Sequence, residues 1–466
     1  MNFRHGGPLT IKRRTFVQSA LTAGFSLSAI EALVACGGAP TQHNNVVTVT
    51  DAPDVTDAIG NSLFKKLSSA FHSKYPQYKV VAHDYRFKPD DFYTRFNANQ
   101  AEDLSRVFLT EAHYIIQKQY AADVSDALHK WRYFRDISSF VLEEIADNTG
   151  RLFAIPKAGY KLALLYRRDM FKAAGLNPDK PPLTWDEFRA YARQVTQKIS
   201  LSPWGYNMQT LDNMGGWMFT NWLYSAGGQV EKQDSNGKWQ CVANSEQGYA
   251  VLQLLHDMRW KDGSIGPQNL VNADNVYSSL GNANAAMMIA TIDNVAGECN
   301  RFEVPAGTYG IGPVPTNGAN SCLAGGDIWI VNPHSDSDIQ KMAAQYALLS
   351  LEPEFYEAEI KANKAQNQKL LVGYNDPGFF GGTYLQQLHT IDAKYVNIPA
   401  SVYQPYFDAN QQGQHEPIIQ SQDWYERMDE VLQKVIGTQD LDLKATLDET
   451  VEKFQREVLD PINKGS

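Results

Sequence analysis

The alternation of strand-type and helix-type segments beyond residue 45 constrains the fold of this chain more than any other feature. Residues 46–50 form a β-type run, apolar residues then recur at helical spacing over 63–71, and residues 78–82 return to a β-type pattern. Residues 104–109 predict a third strand. Strands that alternate with helices predict α/β units on a largely parallel sheet.

The length of the chain predicts the number of domains, and its charge disfavours some classes of partner. The chain has 466 residues, and the segment beyond residue 35 is too long for one ordinary hydrophobic core, so at least two domains are expected. The formal net charge is −10, and residues 1–35 carry four basic residues and one acidic residue, which leaves −13 on the remainder. This acidic balance argues against nucleic acid or an anionic lipid surface as the main partner.

The first 35 residues have the composition of a secretory signal. Basic residues, including the Arg13-Arg14 pair, precede an apolar run that ends in small residues before Cys36. The arginine pair indicates twin-arginine export, with general secretory export as the alternative. A transmembrane helix is disfavoured, because Glu31 and several small or polar residues interrupt the roughly 20 apolar residues that a span needs.

Cys36 is expected to carry a lipid. Residues 33–36 are similar to the lipobox of bacterial lipoproteins, in which the cysteine becomes the modified first residue of the mature protein. Residues 36–45 lack apolar periodicity and predict a tether, so the expected location is extracytoplasmic and bound to the cell membrane. The other cysteines are Cys241, Cys299 and Cys322; they allow one disulfide but indicate neither a disulfide scaffold nor a zinc site.

Local signals place several further elements. Thr184 and Glu187 form a predicted capping box at the start of a helix whose apolar residues include Phe188. The Gly325-Gly326 pair predicts a turn that leads into a strand, and residues 424–436 and 443–459 predict two late helices.

An ordered series of short motifs is similar to the extracellular solute-binding proteins, family 1, of sugar-type ABC importers. The series is LFAIP at 152–156, LLYRRDMFKAAGL at 164–176, LTWDEF at 183–188, AGG at 226–228, AAM at 285–287 and YGIGPVP at 309–315. The resemblance implies a two-lobed, periplasmic-binding-protein-like α/β fold with a ligand cleft between the lobes, which close by hinge bending. It implies one lobe at 46–160 and 320–368 and the other at 161–319 and 369–466.

The resemblance also implies residues that bind the ligand. By position relative to the maltose-binding branch of the family, the implied residues are Glu111, His113, Tyr160, Trp217, Asn221 and Trp424. The branch has an acidic residue where this chain has Tyr160, which implies a different ligand. Structural alternatives stay open: Glu111 could stabilise a helix start, and the aromatic side chains could belong to the core.

Four polar residues complete the expected site. Asp293 and Asn294 stand where many relatives have a glycine and a tryptophan, Asp327 follows the glycine pair, and Asp54 follows the first strand. Aromatic rings match the apolar faces of a sugar, and carboxylates and amides match its hydroxyl groups.

The function implied by the resemblance is binding without catalysis. A carbohydrate ligand, permease subunits as partners, a monomeric state, and neither a cofactor nor a metal are expected. A non-sugar solute and a sensor that presents its ligand to a receptor are the alternatives. A secreted hydrolase is less favoured, because GxSxG, HExxH and a phosphate loop are absent and Pro417 follows His415-Glu416.

Overall fold

The computed structural model describes residues 45–370 and 378–465. The predicted signal, Cys36 and the tether up to residue 44 lie outside the described residues. The described residues from Asn45 onward form one compact unit.

Eleven strands are present in the described residues. Their bounds are β1 Val46–Val49, β2 Lys79–Ala82, β3 Leu104–Phe108, β4 Ile155–Arg167, β5 Trp204–Tyr206, β6 Glu231–Gln233, β7 Trp239–Cys241, β8 Ala285–Thr291, β9 Tyr309–Gly312, β10 Ser321–Val331 and β11 Gln412–His415.

Helices connect and cover these strands. The first nine are α1 Ala58–Lys74, α2 Pro89–Asn97, α3 Ala112–Gln117, α4 Ser125–Lys130, α5 Ser139–Glu144, α6 Arg168–Ala173, α7 Trp185–Lys198, α8 Met214–Ser225 and α9 Glu246–Trp260. The others are α10 Ala273–Gly281, α11 Asn294–Arg301, α12 Ser337–Ser350, α13 Pro353–Ala365, α14 Gly382–Tyr395, α15 Ala400–Asp408, α16 Ser421–Gly437, α17 Leu443–Phe454 and α18 Asp460–Gly465. Short 3-10 turns cover Leu109–Glu111 and Phe134–Asp136, and a π-helical turn covers Gln455–Leu459.

Nine of the strands form one mixed sheet in the order β2-β1-β3-β10-β4-β8-β5, with β11 beside β10 and β9 beside β4. Pairing is parallel between β1 and β2, β1 and β3, β5 and β8, and β10 and β11. It is antiparallel where β10 meets β3 and β4, and where β4 meets β8 and β9. The prediction of a largely parallel sheet is therefore wrong for the centre, because two long strands cross it in opposite directions.

The buried apolar side chains form two large clusters that share these two strands. The first cluster contains Ile155 of β4 and Ile328 of β10. The second contains Leu162 of β4 and Leu323 of β10. A third, smaller cluster packs around β8 and β9. The strands β4 and β10 thus pass from one core to the other.

The expected lobe boundaries stay a prediction. Residues before 156 and residues 328–351 pack in the first cluster, in line with the expected first lobe. Phe379, Phe380 and Tyr384 also pack there, although 369–466 is predicted to belong to the other lobe. The start of α14 thus differs from that expectation, because its aromatic rings meet Trp131 and Tyr133.

The predicted start of α7 is confirmed. Thr184 Oγ1 accepts a hydrogen bond from the Glu187 backbone N–H at 3.2 Å, and the Glu187 carboxylate accepts one from the Leu183 N–H at 2.8 Å. The Glu187 carboxylate thus binds the N–H of Leu183, the residue before the N-cap, and not that of Thr184 itself. Phe188 and the apolar positions after it are buried as predicted.

Strands β1 to β3 match the three predicted strands within one residue at each end. Cys241, Cys299 and Cys322 are free thiols. No helix within the described ranges is both long enough and apolar enough to span a bilayer.

Close packing of α8 against α16 depends on a glycine. A Cβ on Gly216 would overlap the backbone of Tyr425 in α16, and the Gly216 N–H donates to Asp429 at 3.0 Å. The two helices can approach this closely only if position 216 has no side chain.

Gly216→Ala should lower the free energy of unfolding by about 1–3 kcal/mol, since a well-packed contact would be overfilled. Gly297→Ala is the matched control, because no atom lies within 4 Å of its added Cβ in helix α11. It should be neutral or stabilising by up to about 1 kcal/mol. Urea denaturation of both variants checks this, and equal midpoints would contradict it.

Candidate ligand-binding cleft

The antiparallel contact between β4 and β10 contains a run of small residues. Tyr160 pairs with Gly325, and Gly159 pairs with Gly326. The glycines lie inside β10, so the prediction that Gly325-Gly326 forms a turn before a strand is wrong. A Cβ on Gly325 would overlap the Glu416 carboxylate and lie 2.6 Å from the Tyr160 hydroxyl oxygen. The missing side chain makes room for these two groups.

Four side chains meet beside Gly325, and we call them the hinge cluster: Tyr160, Trp217, Glu416 and Tyr425. The hydroxyls of Tyr160 and Tyr425 donate to Glu416 Oε2 at 3.3 Å and Oε1 at 3.0 Å. The Tyr160 and Trp217 rings meet edge to face, with centroids 5.7 Å apart. The cluster therefore combines aromatic surface with a carboxyl group held by phenol donors.

Burial raises the pKa values of the acidic groups in the hinge cluster. It raises the pKa of Glu416 to about 7, although the hydrogen bonds from Tyr425 and Tyr160 act in the opposite direction. The pKa values of Tyr160 and Tyr425 are also raised, first by burial and then by the nearby Glu416 charge. Both phenols therefore stay protonated near neutral pH and act as hydrogen-bond donors.

A second group of charges borders the cluster. Arg106 in β3 donates Nε to Asp51 Oδ2 at 2.5 Å and Nη1 to Asp327 Oδ2 at 3.0 Å. Asp327 was expected in the site, and its charge also raises the pKa of Glu416. The guanidinium of β3 links Asp51, which follows β1, to Asp327 within β10, so it is already paired with two carboxylates.

Glu111 and His113, the two residues expected in the site after β3, each contact another side chain. Glu111 is buried and accepts a hydrogen bond from the Tyr93 hydroxyl. His113 Nε2 lies 2.9 Å from Glu144 Oε2. Gln422, at the start of α16, donates Nε2 to Thr110 Oγ1 at 3.5 Å, so the segment that contains Glu111 meets the helix that contains Trp424.

The two expected site residues of helix α8, Trp217 and Asn221, lie in different environments. Trp217 is half-buried and contributes to the hinge cluster. Asn221 is fully buried, and its Oδ1 accepts a hydrogen bond from the Leu323 N–H at 3.0 Å, which ties α8 to β10. Asn221 therefore has a structural contact and presents no surface to a ligand in this conformation.

Trp424 has no exposed face in this conformation. Its ring is fully buried, contacts Phe219 and Phe454, and its Nε1 donates to Thr220 Oγ1 at 3.3 Å. The stacking plane expected from the sequence is covered by these neighbours. The next residue, Tyr425, points its hydroxyl into the hinge cluster instead.

Asp54 and Asn294 make local hydrogen bonds. Exposed Asp54 accepts from the Thr56 hydroxyl at 2.6 Å and from its N–H at 2.8 Å, and these bonds lower its pKa. Asn294 Oδ1 accepts from the Thr291 N–H at 3.0 Å and from the Tyr277 hydroxyl at 3.2 Å. Neither residue is brought to the hinge cluster by these contacts.

Asp293 lies in a cavity of about 570 Å³ beside the same strands. Lys157 and Ala158 of β4 and Trp329 of β10 also line it. Ala158 and Tyr160 are two residues apart in one strand, so the cavity and the hinge cluster are neighbours along β4. Tyr160, Trp217 and Glu416 do not line the cavity.

Glu416, Tyr425 and Arg106 were missed by the sequence reasoning. Glu416 directly follows β11, and polar residues at strand ends are a general sign of a binding site. The strand itself has the sequence QGQH, which carries no β-type pattern, so that sign was hidden.

Comparison with known proteins gives the family. The model of the bacterial extracellular solute-binding protein family matches residues 56–347, more than half of the chain. The sn-glycerol-3-phosphate-binding periplasmic protein UgpB of Brucella abortus is 23% identical over 311 residues, which cover 62% of this chain and 68% of the relative. UgpB of Yersinia enterocolitica is 26% identical over 216 residues, covering 44% and 46%.

Solved structures give the same fold. A solute-binding protein of Thermotoga lettingae bound with alpha-D-tagatose superposes with a TM-score of 0.70 at 18% identity, over 88% of this chain and 99% of the other. UgpB from Mycobacterium tuberculosis in complex with glycerophosphocholine has a TM-score of 0.70 at 15% identity, over 89% and 98%. The GacH receptor of Streptomyces glaucescens, solved with acarbose, has 0.68 at 16%, over 89% and 98%.

These matches confirm the predicted two-lobed α/β fold. The family match also agrees with the ordered motifs, which begin at 152 and run through β9. The chain belongs to the bacterial extracellular solute-binding protein family.

Proposed function

We propose that this chain is the substrate-binding lipoprotein of an ABC importer. It binds a carbohydrate between its two lobes outside the cytoplasm and delivers it, as a monomer, to the transmembrane permease subunits. The observation that carries the choice of ligand is the hinge cluster, in which Tyr160, Trp217, Glu416 and Tyr425 meet at the strands common to both cores.

The chemistry of the cluster suits a neutral, hydroxylated ligand. The half-buried ring of Trp217 supplies an apolar plane for the C–H face of a sugar. Glu416 and Asp327 supply acceptors for hydroxyl donors, and the phenol of Tyr160 can exchange its bond to Glu416 for a bond to a ligand hydroxyl. Solved relatives with alpha-D-tagatose and acarbose support this class.

A phosphate-bearing solute is the second candidate, because curated relatives are named for sn-glycerol-3-phosphate. The charges favour the neutral ligand. Arg106 is held between Asp51 and Asp327, and Arg86 lies 3.5 Å from Asp51 and 3.4 Å from Asp84. A phosphate would have to displace one of these carboxylates and approach the others, which opposes its binding.

The arrangement serves binding more readily than catalysis. Asp327 is paired with Arg106, so its carboxylate is not free. A glycosidase needs one carboxylic acid and one free carboxylate across the scissile bond. A sensor that presents its ligand to a receptor would use the same site, and import of labelled ligand by cells distinguishes the two roles.

Lobe closure follows from the position of the cluster. Tyr160 lies on a crossing strand, while Trp217 and Tyr425 lie on α8 and α16, which pack in the second cluster. Arg106 lies on β3 and Asp327 lies on β10, and these two paired strands also carry residues of the first cluster. A ligand that contacts both sets gains more contacts when the lobes are closed, and it therefore favours that state.

Trp217→Ala should weaken binding of the carbohydrate ligand by about 1–3 kcal/mol, or about 5- to 150-fold, because it removes the exposed aromatic plane. Trp424→Ala should instead lower the free energy of unfolding by about 3–5 kcal/mol, because its ring is buried. Trp239→Ala, outside the cluster, is the control for ligand affinity. Calorimetry with a sugar panel and denaturation measure the two effects, and unchanged affinity in Trp217→Ala would contradict the site.

The raised pKa of Glu416 makes stability depend on pH. The folded state holds this proton to about pH 7, whereas an unfolded glutamate loses it near pH 4.5, so the free energy of unfolding falls as the pH rises between these values. Glu416→Gln cannot lose a proton and should lose about 1–3 kcal/mol less stability than the unmodified protein from pH 5 to pH 8. Glu426→Gln, exposed on α16, should follow the unmodified protein; parallel curves for all three would refute the assignment.

Cys36→Ser should release the protein from the membrane fraction, because the proposed lipid anchor is lost. Its unfolding transition should not change, since the described fold begins at residue 45. Fractionation of cells that express each form, together with mass spectrometry of residue 36, provides the measurement. Retention of the serine variant in membranes would argue against a lipoprotein.

A further inference from the structure

The cavity beside β4 is large enough for a second ligand site. Its volume of about 570 Å³ lies within the range of about 300–1,000 Å³ that is typical of small-molecule pockets. None of the hinge cluster side chains lines it. It is therefore separate from the proposed carbohydrate site, and it is open to a ligand of a different class.

One wall of the cavity is apolar. Leu63 and Phe64 come from the first turns of α1, and Phe355 and Ile360 come from α13. Phe355 and Ile360 are more than nine-tenths buried, so this wall is formed by the packing of the two helices. Such a wall favours the hydrocarbon part of a ligand.

Three carboxylates also line the cavity. Asp293 enters from the start of α11, and Glu359 and Asp392 enter from α13 and α14. Burial raises the pKa of Asp293, which means that its charged carboxylate is poorly solvated, whereas Glu359 is exposed to solvent. A cation placed beside Asp293 would offset that cost.

Two lysines, Lys157 and Lys369, also line the cavity, but among the described residues neither contributes to the pKa shift of Asp293. Lys157 lowers the pKa of Glu359 and lies 5.8 Å from the centre of the Trp329 ring. Asp293 accepts a hydrogen bond from the Thr291 hydroxyl, and no basic residue contributes to its pKa shift. Trp329 is nine-tenths buried, and its Nε1 has no hydrogen-bond partner among the described residues.

We propose that this cavity binds an organic cation with an apolar body. The ammonium group lies beside Asp293, and the hydrocarbon part fills the space between α1 and α13. Solutes of this class include aryl and branched alkyl amines. This site does not depend on the proposed carbohydrate site, because the two share no side chain.

The position of the cavity gives its ligand a second effect. The α1 and α13 wall adjoins the first hydrophobic cluster, whereas Ala296 of α11 packs against the third cluster. A molecule that fills the cavity contacts both sides of the crossing strands. It therefore stabilises the relative arrangement of these parts of the protein.

Two matched probes test the charge and the location. Calorimetry at pH 7 with 2-naphthylmethylamine and 2-naphthylmethanol should give at least about tenfold tighter binding of the amine, since the two differ chiefly in charge. Asp293→Asn should reduce this preference to less than about twofold. Ala296→Trp, which fills the cavity, should weaken binding of both probes at least about tenfold.

Two controls keep the test specific. Ala445→Trp adds the same bulk at an exposed position of α17, and Trp217→Ala removes a ring from the hinge cluster; both should leave amine affinity within about twofold. Equal affinity of the two probes for the unmodified protein would overturn the cationic class. Unchanged amine binding in Ala296→Trp, with circular dichroism like that of the unmodified protein, would overturn the site. Loss of carbohydrate binding in Trp217→Ala affects neither outcome.

Discussion

The antiparallel pairing of β4 with β10 is the contact on which the other features of this protein depend. The two strands pair from Ala324 and Lys161 to Trp329 and Ile155, and their ends lie in different hydrophobic clusters. A strand pair held by backbone hydrogen bonds can bend and twist without losing either core. The lobes are thus joined through an element that keeps its pairing while their relative orientation changes.

Glycine at the centre of this pair explains why a polar cluster forms there. Gly325 leaves space for Glu416 and Tyr160 on one side, and Phe379 fills the space beside Gly159 and Gly326. Burying Glu416 is unfavourable unless donors accompany it, and the two phenols supply them. The same glycine thus permits both the buried acid and its partners.

Local patterns in the sequence predicted local structure well and the site only in part. Strands β1 to β3 and the start of α7 follow from alternation and capping, which depend on neighbouring residues. Tyr160 belongs to the proposed site, and the resemblance to the maltose-binding branch had already implied it. Trp424 and Tyr425 show the limit, because helical spacing does not tell which of two adjacent rings faces a core formed by distant segments. Glu416 was missed since its position depends on β11 pairing with β10, about 90 residues away.

The crossing strands also relate the two proposed sites to each other. Ala158 borders the cavity and Tyr160 belongs to the hinge cluster, and one residue separates them in β4. A change in the twist of β4 and β10 would move Tyr160 relative to Glu416 and would also move Trp329 relative to Asp293 across the cavity. A ligand at either site therefore acts on the same conformational variable, and occupation of one alters the affinity of the other by an equal factor in both directions. The sign of this coupling depends on whether both ligands favour the same orientation of the lobes.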